Sequence, residues 1–410
     1  MKLKYDVQDA VQQLGLNKLK KPQIGPINAV LNKHDTLVIY PTGLGKSAIM
    51  QVPALVKAPK LTLVIEPTVS LMYDQVKHLQ ELGIAAEYLA QRNKCDHLDI
   101  LERLEAGEIN ILYIAPERLQ SSRFQNAITT NPPWLIVIDE AHCYLNCGRT
   151  FRPDYLEIPK FIESLPKRPV ILAMTATAPK EYRKQLAKHL GMKKPETFTA
   201  PLARPNLTII RERMHSETDK KRWRRVRNLI SKYGKDGRVV VYCATKRDTD
   251  IVYNHLKREF PKEVVECHAF MDADSREAHE MKFIKNKRRI IIATTAFGIG
   301  VDVPDIRLVI HYSLPISPIN YYQEIGRSGR DGNKSRCILL YHPDDTKKFT
   351  RILKNIETDE MHDELAAGID RMLEIASGDT CIMERLLEEL DDDDPYPCGH
   401  CSVCQGNRRR

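Results

Sequence analysis

The segment Pro41–Ser47 reads PTGLGKS, and its residue types suit phosphate binding. Gly43 and Gly45 let backbone N–H groups come close to phosphate oxygens, with Thr42 in the same loop. Lys46 supplies positive charge to β- and γ-phosphates, and Ser47 can ligate Mg²⁺. The strict pattern has a further glycine where Tyr40 stands. A tight strand-to-helix turn with a chance lysine would look similar, so the loop argues for phosphate binding and nothing more.

A second segment supplies what the loop lacks. Leu135–His142 reads LIVIDEAH, an apolar strand that delivers Asp139 and Glu140 to its carboxyl end. Asp139 is suited to hold Mg²⁺ through its waters, and Glu140 to orient and deprotonate an attacking water. Alone, DEAH would also fit a helix start with acids near the dipole. Further on, Tyr321–Gly332 reads YYQEIGRSGRDG. Arg327 and Arg330, expected at the start of a helix, can face one γ-phosphate, with Arg330 the principal arginine finger. Without that context they read as a surface salt-bridge pair. Finally, Cys381, Cys398, Cys401 and Cys404 have the spacing C-x16-C-x2-C-x2-C. Four thiolates suit a closed structural Zn²⁺ site. Unligated thiols, a disulfide and an iron–sulfur cluster are the rival readings. Cys143 and Cys147 are expected to be ordinary thiols, and His400 to be exposed rather than ligating.

These residues need elements to hold them. Apolar runs at Thr36–Tyr40, Leu61–Glu66, Ile109–Ala115, Trp134–Asp139 and Val170–Thr175 alternate with helical stretches. That pattern predicts a parallel sheet with helices on both faces, ligands lying beyond the carboxyl ends of its strands. A second series, at Arg238–Cys243, Glu263–His268, Arg289–Thr294, Leu308–Tyr312 and Cys337–Tyr341, predicts a second parallel α/β domain. The joint is expected near Pro201–Leu207, where two prolines break any helix. From Asp344 to Leu390 the chain is expected to be helical.

The 410 residues allow two or three domains, and 42% hydrophobic content is enough for real cores. The net charge of +9 permits a polyanionic partner without proving one. No run approaches the roughly 18 apolar residues of a membrane span, and no signal-type segment opens the chain. A protein of the cytoplasm or nucleoid, or of the nucleus in a eukaryote, is expected. The basic stretch Lys220–Arg227 (KKRWRRVR) is expected to be a solvated helix face with Trp223 packed inward.

Taken in order, PTGLGKS, EPTVSLMYDQV, ILYIAPERL, IDEAHC, FRPDY, AMTATA, RPNL, ATTAFGIGVDVPDIRLVIH and YYQEIGRSGRDG resemble the RecQ family of superfamily-2 DNA helicases. FRPDY and the cysteine quartet separate such chains from DEAD-box RNA helicases. The resemblance runs from Leu19 to Cys404. It implies two tandem RecA-like α/β domains, over 1–202 and 203–344. A helical zinc-binding module over 345–404 and a basic tail over 405–410 complete the expected order.

The resemblance also implies an ATP- and Mg²⁺-dependent enzyme with structural Zn²⁺, moving 3′ to 5′ on single-stranded DNA and unwinding duplex DNA. ATP is then expected between the two α/β domains. Gln23 matches an adenine-reading glutamine, Lys20 takes the place of an arginine near the base, and Leu16 stands where an aromatic often flanks the adenine. His142 and Thr175–Thr177 match coupling elements. Gln323, Asp302 and Gly300 fall in nucleotide-facing motifs. For DNA, the resemblance points to Phe151 and Arg152 in the loop CYLNCGRTFRPDY. Cys147 replaces its usual tryptophan, and Arg149 a usual histidine. One stacking platform of about 1–3 kcal/mol is thereby lost. Ser70, Lys77, Arg118, Thr245, Lys246 and Thr294 match backbone-binding positions, which would bind DNA without regard to sequence. Six residues follow Cys404. Many RecQ-like chains continue into a winged-helix domain, so weak unwinding, or a protein partner supplying the strand-separating element, is expected. The partners expected are single-stranded and forked DNA and ATP, with no membrane, and the chain is expected to be a monomer. A DNA-binding or strand-annealing module with an ATP clamp, and an RNA helicase, are the alternatives.

Overall fold

The computed structural model describes residues 7–41, 43–90, 93, 96–143, 153–215, 219–295, 297, 303–354, 356, 359–392 and 395–407. The chain forms two compact units, Met1–Pro201 and Leu202–Arg410.

The first unit is built on seven parallel strands: β1 (Thr36–Ile39), β2 (Thr62–Ile65), β3 (Ala86–Leu89), β4 (Ile111–Ile114), β5 (Leu135–Ile138), β6 (Val170–Thr175) and β7 (Glu196–Thr199). Their order is β3-β4-β2-β5-β6-β1-β7. The central strands are buried throughout and almost wholly apolar because both faces are covered, as parallel sheets require. Successive side chains alternate between two cores. Leu37, Ile39, Leu63, Ile65, Ile136 and Ile138 enter one. Val38, Tyr40, Val64, Leu135 and Val137 enter the other. Asp35, 3% exposed, pins the amino end of β1. It accepts the Ile171 and Lys193 amides at 3.0 and 2.6 Å and the Arg168 guanidinium at 2.5 Å.

The second unit carries β8 (Leu207–Arg213), β9 (Arg238–Tyr242), β10 (Val264–Cys267), β11 (Ile290–Ala293), β12 (Ile306–His311) and β13 (Ser335–Tyr341). These are also parallel, in the order β10-β11-β9-β12-β13-β8. All ten expected strands form. The sequence reading omits β3, β7 and β8, each of which lies at a sheet edge.

The helices of the segment 345–404 pack on the sheet of the second unit. Met372, Ile375, Ile382, Leu386, Cys381 and Cys401 share one apolar cluster with Val240, Val309 and Leu339 of the sheet. The Leu202 amide donates to Asp392 at 2.8 Å, and Arg211 to the Ile375 carbonyl at 3.2 Å. Apolar surface that cannot be covered by the short helices alone is buried against the sheet instead.

Candidate ATP and nucleic-acid sites

The phosphate loop joins β1 to the helix Lys46–Val56. Gly45 is the N-cap, with φ of 77°. That φ favours glycine, and a Cβ there would meet Gln23 Nε2 at 2.5 Å and push the glutamine off the loop. Gln23 and Lys20 brace the loop. Gln23 Nε2 donates to the carbonyls of Gly45 and Leu44 at 2.9 and 3.2 Å, and Lys20 Nζ donates to that of Gly43 at 3.0 Å. Lys46 Nζ is buried and has no hydrogen-bond partner among the described residues. A buried ammonium without a partner is costly, and phosphate oxygens satisfy it. Ser47 follows on the first turn. Thr42 lies outside the described residues.

β5 ends beside β2, and the Asp139 amide donates to the Ile65 carbonyl at 3.0 Å. This lays Asp139 next to Glu66, which is 1% exposed. Burial pushes the Asp139 carboxyl up to about 6, against the pull of Lys46. Burial, then the charges of Asp139 and Glu140, holds Glu66 well above the usual carboxylate range. Glu66 is the site carboxyl that the sequence reading left without a role. Its signal is an acid closing an otherwise apolar strand. Lys46 is the cation that faces Asp139 in this acidic cluster, and Ser47 and Asp139 suit Mg²⁺ beside it. Glu140 has φ of 47°, a left-handed conformation rare for such a side chain and typical of functional turns. His142 Nδ1 lies 3.3 Å from Glu140 Oε2 and 3.1 Å from Thr175 Oγ1.

In the second unit the arginines do not open a helix. The helix Pro318–Ile325 ends before them, with Gly326 as its C-cap. Arg327 and Arg330 occupy the turn that follows, where Gly329 takes φ of 57°. Cations after a helix C-terminus are electrostatically favoured. Tyr242 lies within the fields of both arginines and of Glu324. Glu324 itself meets His311 Nε2 at 2.9 Å, both side chains being buried. Gln323 sits on the same helix. Gly300 and Asp302 lie outside the described residues.

The expected DNA contacts follow strand ends. Ser70 and Lys77 come after β2, Arg118 after β4, Thr245 and Lys246 after β9, and Thr294 after β11. Lys77 and Lys246 are exposed. Thr245 also caps the helix Lys246–Glu259, accepting from the Asp248 amide at 3.1 Å. Asp250, Glu266 and His268 cluster nearby, with the Lys246 ammonium 3.8 Å from Asp250 supplying the countercharge. Phe151, Arg152, Tyr144, Cys147 and Arg149 lie outside the described residues.

The basic stretch is only partly a solvated face. Arg222 is 1% exposed, its Nη1 bonded to both Asp345 oxygens at 2.9 and 3.1 Å and to the Tyr312 carbonyl at 3.0 Å. It sits one position before Trp223, whose ring stacks on His255 at 4.0 Å. Helical periodicity turns Arg222 inward with Val226.

The four cysteine sulfurs lie within 4.8 Å of one another, and Cys381 Sγ is 3.5 Å from Cys398 Sγ and 3.8 Å from Cys401 Sγ. Sulfurs about 2.3 Å from one tetrahedral ion stand roughly 3.8 Å apart, so the set fits Zn²⁺. The amides of Cys398, Cys401 and Cys404 donate to sulfur at 3.2, 3.3 and 3.5 Å, an environment suited to thiolates. His400 is not exposed. It is half-buried, with Nε2 2.9 Å from the Leu207 carbonyl, and so fastens the cysteine segment to β8. Cys143 is buried in the first unit's core, as an ordinary thiol would be.

The chain is similar to known proteins along most of its length. Residues 20–185 match the DEAD/DEAH box helicase family, and residues 221–332 match the helicase conserved C-terminal domain. The chain is 33% identical to the ATP-dependent DNA helicase RecQ of Bacillus subtilis, over 96% of this chain and 66% of that one. It is 32% identical to that of Haemophilus influenzae, over 95% and 62%. The chain thus spans just under two thirds of the length of these relatives. In fold it is similar to the structure of S. cerevisiae Dbp5 bound to RNA and ADP BeF3, with a TM-score of 0.68 at 19% identity, over 90% of this chain and 97% of that one. Two parallel α/β units with a lysine loop, an acidic strand end and an arginine turn, followed by four clustered thiols and matched along almost the whole chain by RecQ proteins, place this chain in the RecQ family of helicases.

Proposed function

We propose that the chain is an ATP-dependent DNA helicase that moves 3′ to 5′ along single-stranded DNA. The observation that carries the reading is the meeting of Lys46, with its unpartnered buried ammonium, and the Asp139–Glu140 turn at one end of one sheet. Lys46 binds the β- and γ-phosphates. Glu140 orients water and takes its proton at the carboxylate. Arg330, with Arg327 beside it, neutralises charge developing on the γ-phosphoryl group, a contribution of about 10³–10⁵ in rate. Ser47 and Asp139 would hold Mg²⁺, which when bound offsets phosphate charge. Gln23 and Lys20 leave the loop carbonyls to contact the base when ATP binds, and Thr42 and Asp302 complete the nucleotide contacts.

Single-stranded and forked DNA are the nucleic-acid partners. The backbone is gripped by Ser70, Lys77, Arg118, Thr245, Lys246 and Thr294, and bases meet Phe151 and Arg152. The four cysteines hold Zn²⁺ as a structural ion. No described helix is long and apolar enough to cross a membrane.

The test measures ATP hydrolysis with single-stranded DNA, duplex DNA and RNA, beside unwinding of a fluorescent fork. DNA is expected to stimulate hydrolysis, and Lys46→Ala and Glu140→Gln to abolish both activities. Intact DNA-stimulated hydrolysis in either variant would refute the reading. Equal stimulation by RNA would favour an RNA helicase, and hydrolysis without unwinding a DNA-stimulated clamp.

A further inference from the structure

Arg327 and Arg330 stand in a turn with little regular structure of its own. A helix ends at Ile325 and β13 begins only at Ser335. The last carbonyls of a helix and those of the following turn have no intrahelical donors. Here the missing donors come from a distant part of the sequence, the motif RPNL at 204–207.

The Arg204 guanidinium reaches three carbonyls of the turn. Nη1 donates to Gly326 at 3.1 Å, and Nη2 donates to Ser328 at 2.8 Å and to Gly329 at 3.1 Å. Asn206 Nδ2 donates to the Gly329 carbonyl at 2.8 Å and to that of Asn333 at 3.1 Å. Arg204 Nε in turn donates to Asn206 Oδ1 at 3.4 Å. These carbonyls bracket both arginines, Gly326 just before Arg327 and Gly329 just before Arg330. Gly329 leaves no room for slack, since a Cβ there would meet Asn206 Nδ2 at 2.5 Å. The RPNL end is itself fixed. The Tyr322 hydroxyl donates to the Leu202 carbonyl, and the Asn206 carbonyl accepts from the Ser335 amide at 3.0 Å.

We infer that Arg204 and Asn206 are positioning residues for the arginine pair, setting the backbone from which Arg327 and Arg330 reach the nucleotide. The inference rests on the hydrolysis reading proposed above. A planar guanidinium is suited to the task because its forked donors span several acceptors at once, which a lysine ammonium does not reproduce. Arginines held loosely would still carry charge but would miss the γ-phosphoryl group at the transition state, and errors of about 1 Å cost about 10²-fold in rate.

The experiment compares wild type, Arg204→Lys, Asn206→Ala, Arg330→Ala and Arg204→Lys/Arg330→Ala for DNA-stimulated ATP hydrolysis, with melting temperatures measured in parallel. Arg204→Lys is expected to lower kcat by about 10–100-fold while KM for ATP changes less than about threefold. In the Arg330→Ala background the same change is expected to cost less than about threefold, because the principal arginine it positions is gone and only Arg327 remains. Asn206→Ala, which leaves Arg204 in place, is expected to lower kcat less than Arg204→Lys and provides the test should Arg204→Lys not fold. Near-wild-type kcat in folded Arg204→Lys, or losses that multiply independently in the double variant, overturn the inference alone. A wild-type chain without DNA-stimulated hydrolysis overturns the reading and the inference together.

Discussion

His142 Nδ1 lies 3.1 Å from Thr175 Oγ1, and the direction of that bond follows from its neighbours. The Thr175 hydroxyl already donates to the Thr177 carbonyl at 3.0 Å. Its oxygen must therefore accept from His142, which places the proton on Nδ1. Glu140 Oε2 lies 3.3 Å from the same nitrogen, at ion-pair distance. The Thr175 bond at the end of β6 thus fixes the imidazole that stands beside the expected base at the end of β5.

Removing that tie should uncouple the base. Thr175→Val keeps the volume and deletes the hydroxyl, and Thr175→Ser keeps the hydroxyl. We expect Thr175→Val to lower DNA-stimulated kcat by about 10–100-fold, with Thr175→Ser within about threefold of wild type. Steady-state hydrolysis with saturating DNA reads the difference. A valine variant that hydrolyses ATP at the wild-type rate would show that the bond is incidental.

Asp139 offers a prediction in stability. Its folded carboxyl titrates at about 6 against a reference of 3.8, because burial disfavours the charge. The folded state therefore prefers the protonated form. The penalty is absent well below 3.8 and fully present above about 6. A shift of that size corresponds to roughly 3 kcal/mol. Asp139→Asn removes the charge and should stabilise the metal- and nucleotide-free first unit by up to about that amount at pH 8 while abolishing hydrolysis. The gap from wild type should narrow as pH falls toward 4.5. Denaturant melts at both pH values check it, and an unchanged gap would contradict the burial argument.

Most strands that sequence reasoning found are interior. β1, β2, β5, β9 and β11 are rich in buried Val, Ile and Leu, so their runs announce themselves, and the edge strand β10 (VVEC) carries enough of the same residues to be found. β3 (AEYL), β7 (ETFT) and β8 (LTIIRER) lie at edges, where alternating or polar residues suffice. The same distinction applies to the site. PTGLGKS and DEAH are contiguous, so spacing reveals them. The Arg204 contacts cross more than a hundred residues and appear only once β8 lies beside β13. Arg222 was hidden for the opposite reason. It stands within a basic run, and only packing shows that it faces Asp345.

The cysteine site should matter to the whole second unit and not to its last helices alone. Cys381 and Cys401 are part of the cluster that includes sheet residues Val240 and Val309. Structural zinc contributes about 10–16 kcal/mol apparent binding energy, as much as a typical domain's entire stability. Protein purified without chelator should hold about one zinc per chain. Cys401→Ser, or strong chelation, should unfold or severely destabilise the second unit while the first keeps its own transition. Hydrogen exchange resolved by segment would distinguish the two. Loss of protection confined to residues 381–407 would show that the sheet does not depend on the site.

Arg222 and Asp345 allow stability to be separated from DNA binding within one basic helix. Arg222 is buried and bonded, whereas Arg224, two positions on, is exposed. Asp345 also accepts the His342 and Leu314 amides at 3.0 and 3.2 Å, so its charge stays buried if Arg222 is removed, with only the Lys348 ammonium at 3.7 Å left as a countercharge. Breaking a buried pair by removing one partner costs about 3–5 kcal/mol. Arg222→Met should therefore destabilise the second unit by that order, with the salt dependence of DNA binding unchanged. Arg224→Ala should alter stability by less than about 0.5 kcal/mol, as exposed sites do. A shallower salt slope in Arg222→Met, measured by fluorescence anisotropy on single-stranded DNA, would mean that this arginine leaves its pair to contact phosphate.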